Sequence, residues 1–93
     1  MSVVIVGGNE CMSRRYMDVC RSYNCKAKVY PLMSAGMRHL GSPDLLVLFT
    51  GTVSHKMIRC AISKTDTLKT RIARSHSASV AALKAILDEH IGG

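Results

Sequence analysis

Two runs of contiguous apolar residues constrain this chain more than any other feature: Val3-Val4-Ile5-Val6 and Leu45-Leu46-Val47-Leu48-Phe49. Neither alternates with polar residues, so a strand built from either has both faces covered. Helices must do the covering, and a segment of helical period follows each run. Between Glu10 and Tyr23, Met12, Tyr16, Val19, Cys20 and Tyr23 recur at helical spacing, with Arg14, Arg15, Asp18 and Arg21 on the other face. Asn9 suits the N-cap of this helix and Asn24 its stop. After the second run, Met57, Ile58, Ala61 and Ile62 make the inward stripe of another helix.

Lys26 to Tyr30 and Thr70 to Arg74 alternate in polarity, as half-exposed edge strands do. Met33, Met37 and Leu40 fit a brief helix between Pro31 and the break at Gly41-Ser42-Pro43, and the methionines in general read as core filler. A last helix turns Val80, Leu83, Ile86, Leu87 and Ile91 inward and ends at Gly92-Gly93. The expected architecture is one α/β domain over residues 1–93, Rossmann-like and three-layered, with a four-stranded parallel sheet. Placing the apolar runs at the centre and the alternating ones at the edges gives the strand order 2-1-3-4.

In a sheet of this order the chain reverses direction between strands one and three, and ligands bind beyond the carboxyl ends of the strands at that point. Three polar turns fall there. Gly7-Gly8-Asn9 lets backbone amides approach an anion at a helix start, although it matches neither dinucleotide-binding nor Walker patterns. Thr50-Gly51-Thr52-Val53-Ser54-His55-Lys56 is the densest cluster. Thr52 or Ser54 suits an N-cap, while His55 sits in a first turn whose dipole favours the neutral, ligating imidazole. Arg74-Ser75-His76-Ser77 repeats the theme after the fourth strand.

With thirteen basic residues against six acidic ones, the net charge is +7. The cations are scattered and aromatics for base stacking are few, so the balance suits an anionic small molecule rather than nucleic acid. The expected ligand site comprises Gly8, Asn9, Arg14, Thr50, Thr52, Ser54, His55, Lys56, Arg74 and Ser75. His55 and His76 form an imidazole pair that can ligate a transition metal or haem iron, with Cys11, Cys25, Tyr30 or a partner chain completing a metal set.

A non-enzymatic binding or sensing module is the leading reading, and a haem or metal protein the second. The third is an enzyme using Cys11 as a thiolate beside Arg14 and Arg15. The phosphatase spacing fails because position 17 is Met, and no paired carboxylates serve acid–base hydrolysis. Cys20, Cys25 and Cys60 read as small core residues, and His39 and His90 as surface residues. The first strand starts almost at Met1, and no apolar stretch reaches membrane-spanning length. These features predict a cytoplasmic domain with reduced thiols and no membrane partner. Small size and an open sheet edge predict a homodimer.

Val3-Val4-Ile5-Val6-Gly7-Gly8, Tyr16, Asp44-Leu45-Leu46-Val47-Leu48, Val53-Ser54-His55 and Arg74-Ser75 together resemble the bacterial family known as domain of unknown function 2325. The resemblance covers nearly the whole chain and implies a compact Rossmann-like fold with a site around His55; it implies no established activity. Two departures stand out. The family usually has a histidine and glycines after the second strand, where this chain reads Tyr30-Pro31-Leu32-Met33. It often has an aspartate just before the Ser-His pair, where this chain reads Thr50-Gly51-Thr52.

Overall fold

The computed structural model describes residues 1–31, 40–66 and 68–92. Four strands, β1 (Ser2–Val6), β2 (Lys26–Tyr30), β3 (Leu45–Phe49) and β4 (Arg71–Ser75), form one parallel sheet in the order β2-β1-β3-β4. Val6 pairs with Tyr30 on one side and Leu48 on the other, and Leu48 in turn with Arg74. The wholly apolar runs occupy the centre and the alternating ones the edges, because only a central strand is covered on both faces.

Strand alternation divides the core into two. Val3, Ile5, Leu45, Val47, Phe49 and Ala73 face α1 (Ser13–Ser22) and α3 (Val80–Leu87), meeting Tyr16, Cys20, Leu83, Ile86 and Leu87. Val4, Val6, Leu46 and Leu48 face α2 (His55–Ser63) through Met57 and Ala61, and Leu40 joins them. The layers are therefore two helices, the sheet, and α2. Truncating a fully buried side chain such as Leu46 or Leu83 to Ala would cost about 2–5 kcal/mol.

Local chemistry sets the boundaries. Asn9 does cap, but the turn it caps is a 3-10 turn at Glu10–Met12, with the α-helix proper starting at Ser13. At the other end Asn24 adopts φ +60°, and two hydrogen bonds close the turn: Cys25 N–H to the Cys20 carbonyl and Asn24 N–H to the Arg21 carbonyl, each 2.9 Å. This pair is a Schellman motif, so Asn24 stops the helix as expected. β4 begins one residue later than the alternation suggests, because the buried Thr70 donates its hydroxyl to the Pro43 carbonyl at 2.7 Å. Beyond α3 the chain widens into a π-type turn, Asp88–Gly92.

Met57 is core, as expected of the methionines, but Met17 is 39% exposed. The brief helix expected at Met33–Leu40, with His39 in it, lies outside the described residues apart from Leu40. Among the described residues no helix is long and apolar enough to cross a membrane.

Candidate functional site

Gly7 and Gly8 follow β1 with φ +96° and +88°, a region that L side chains rarely adopt. The positions are also crowded. A Cβ on Gly7 would lie 2.8 Å from Val53 Cγ1 and 2.9 Å from Thr52 Oγ1, and one on Gly8 would lie 2.7 Å from Tyr16 Cε2. The turns after β1 and β3 thus touch directly at the point where the chain reverses.

A hydrogen-bond chain holds them together. Gly8 N–H donates to Thr52 Oγ1 at 2.7 Å, and the Thr52 hydroxyl donates to the Phe49 carbonyl at 3.0 Å. Asn9 N–H points to the Tyr16 hydroxyl at 3.4 Å, and Thr52 N–H to the Phe49 carbonyl at 3.2 Å. The Gly8, Asn9 and Thr52 amides, expected to face a ligand, are therefore engaged within the protein. The reason is local: two abutting turns satisfy each other's polar groups.

Tyr16 is the residue whose role the sequence did not announce. Its ring is fully buried against Phe49, centroids 5.4 Å apart, and its hydroxyl donates to the Ala78 carbonyl. One side chain of α1 thus ties together the turns after β1 and β4. The available signal was its place in the middle of the helix's inward stripe, since a buried phenol must find a partner.

The second turn leads into α2. Ser54 is the N-cap, its Oγ accepting from Met57 N–H at 3.2 Å. His55 and Lys56 follow, both exposed. Helix geometry leaves their amides without an intrahelical acceptor, and none of the hydrogen bonds among the described residues uses them or the amide of Val53.

β4 supplies the neighbouring groups. Arg74 is exposed on the same face of the sheet as Ile72, which packs in the α2-side core. Thr50 N–H donates to the Ser75 carbonyl at 2.8 Å, and Ser75 Oγ donates to the Ser77 carbonyl at 2.8 Å. The His76 ring lies against Gly51: a Cβ there would collide with the His76 carbonyl oxygen and lie 3.1 Å from its Cε1. Gly51 therefore lets the turn after β4 close over the turn before α2. Arg14 and Cys11 are exposed at the start of α1, which packs on the opposite face; the Cys11 amide is held by Asn9 Oδ1 at 3.0 Å.

Carboxylates are unevenly placed along the strand direction, whereas cations lie at both ends, with Lys26, Lys69 and Arg71 among those at the strand starts. Arg14, Arg15, Lys56 and Arg74 lie toward the carboxyl ends of the strands, with Glu10 the acidic residue there. Of the six acidic residues, Asp44, Asp66, Asp88 and Glu89 lie at the opposite end. Cavities of 310 and 450 Å³ open elsewhere, the first beside Val4, Lys28, Leu40 and Pro43, the second beside Met17, Arg21, Cys25 and Lys26. The side chains of His55, Lys56 and Arg74 are exposed, so the expected site forms a rim. Among the described residues no three His, Cys, Asp or Glu side chains group as a metal set. Cys20 and Cys25 are buried, as expected, and Cys60 is half-buried. Burial, with the neighbouring Cys25 thiol, pushes Cys20 up to about 11.

No curated protein and no solved structure matches the chain. A family described as an uncharacterized protein conserved in bacteria matches residues 2–90, a span that includes β1 to β4, α1 to α3 and the whole rim. The chain belongs to that bacterial family, domain of unknown function 2325.

Proposed function

We propose that this protein is a small cytoplasmic binding or sensing module that takes an anionic small ligand on the rim formed by the start of α2 and the end of β4. The observation that carries the reading is that the cations Lys56 and Arg74 flank α2 amides that no described residue uses, on a rim where Glu10 is the acidic residue. A helix start with free amides attracts negative charge, and adjacent cations add to it. His55 contacts the ligand from the first turn, and Thr50, Ser54 and Ser75 shape the rim rather than bind directly. Arg14, on the opposite face, contributes long-range attraction only.

Titration with inorganic phosphate, followed by amide chemical shifts, tests the reading. The expected result is saturable movement of the His55 and Lys56 amides, with affinity falling about threefold in Lys56→Gln and in Arg74→Gln. Phosphate shifts spread over the surface, or binding indifferent to both substitutions, would sink it. Native mass spectrometry of the same preparation reads the proposed homodimer and any retained ligand.

The contact of His76 with Gly51 favours one second reading, in which His55 and His76 hold a haem or a transition metal between neighbouring turns. A Soret band or bound metal lost in His55→Ala is its expected signature. Colourless, metal-free protein from haem-replete cells refutes it.

A further inference from the structure

A cavity of 230 Å³ opens at the opposite end of the sheet, where β3 and β4 begin and the turn after α3 ends. Its walls combine three kinds of group, with the exposed Met1 beside them. Lys69 and Arg71 are exposed cations that precede and open β4, and the half-buried His90 joins them from the α3 side. The half-buried Ile91 supplies apolar surface beside the core residue Leu45. Asp44 supplies a carboxylate: its Oδ2 accepts from Ser2 N–H at 2.7 Å, and its other oxygen has no partner among the described residues.

We infer that this cavity binds a zwitterion of amino-acid size with a short apolar side chain. The volume lies below the roughly 300 Å³ at which sites for drug-sized ligands begin. Each group then has a counterpart. The ligand carboxylate meets Arg71 and Lys69, which present several donors to it. Its ammonium meets the free oxygen of Asp44. Its side chain lies against Ile91, next to Leu45. A simple anion leaves Asp44 facing it and a simple amine leaves Arg71 and Lys69 unpaired, so the cavity discriminates against both halves of the zwitterion. The site is separate from the rim at α2 and does not depend on it.

The probe is L-valine, read by amide shifts, with isobutyrate and isobutylamine as its two halves. Valine is expected to move the Leu45 and Ile91 amides, with each half binding at least about tenfold more weakly. Asp44→Asn, whose amide oxygen still accepts from Ser2 N–H, and Arg71→Gln are each expected to weaken valine binding about tenfold. Lys69→Gln, in the loop before β4, gives the same reading if Arg71→Gln does not fold. No shift at Leu45 and Ile91 with valine at ~10 mM overturns the inference. So does isobutyrate binding as tightly as valine, or valine binding indifferent to the substitutions. Phosphate shifts at His55 and Lys56 report on the other end of the sheet, so the two proposals stand or fall apart.

Discussion

The Gly8 amide and the Thr52 hydroxyl are 44 residues apart in sequence and 2.7 Å apart in space, and their hydrogen bond joins the turn after β1 to the turn after β3. Water replaces this exposed bond when the hydroxyl is lost, and the part-buried bond from the same hydroxyl to the Phe49 carbonyl goes with it. Thr52→Val is expected to lower stability by about 1 kcal/mol in urea unfolding, while Thr52→Ser stays near the parent. A loss in Thr52→Ser with Thr52→Val near the parent would show that the methyl group, not the hydroxyl, matters.

Gly8→Ala is expected to do more damage. The new Cβ meets the ring of the fully buried Tyr16 at a positive φ, so strain and overpacking act together. A loss of about 2–4 kcal/mol follows, read as a lower urea midpoint. Pairing it with Tyr16→Ala in a double-mutant cycle should recover part of the loss, because the obstructing ring is gone.

Tyr16→Phe keeps the ring packing on Phe49 and removes the bond to the Ala78 carbonyl. The expected cost is about 1–3 kcal/mol, since a part-buried acceptor loses its donor. Faster amide exchange should be confined to the turns after β1 and β4. Uniform protection would refute the tie between them.

Cys20 carries a pH signature. Its thiol is raised from 9.0 to about 11 in the folded state by burial and by Cys25. The folded protein therefore holds this proton where the unfolded chain releases it. The associated stability is complete below pH 9 and is lost as pH rises toward 11, by about 2 kcal/mol. Cys20→Ala should flatten the decline relative to the parent over that window. At pH 8 the exposed Cys11 should be alkylated well before Cys20 in native protein.

Ser54→Ala separates capping from binding. The Ser54 hydroxyl is committed to Met57 N–H, so its removal should cost about 1 kcal/mol of stability. Phosphate affinity at the His55 and Lys56 amides should change little. A large loss of affinity with unchanged stability would make Ser54 a direct ligand contact.

Apolar continuity in Val3–Val6 and Leu45–Phe49, against alternation in Lys26–Tyr30, was enough to rank the strands from edge to centre, because burial on two faces and burial on one write different patterns. Helix stripes and stops were legible for the same reason: Asn24 and Ser54 act through atoms within a few residues of themselves. The family assignment also rests on the order of residues alone. What the linear order could not carry is which polar groups remain free once the turns meet. Gly8 and Thr52 look available one at a time and consume each other across 44 residues, and Tyr16 reaches Ala78 across 62. Likewise, Asp44, Arg71 and His90 share a cavity only because parallel strands align their starts beside the end of α3. A backbone amide or a carboxylate has one chemistry in the sequence, but its partner is chosen by distance in the folded chain.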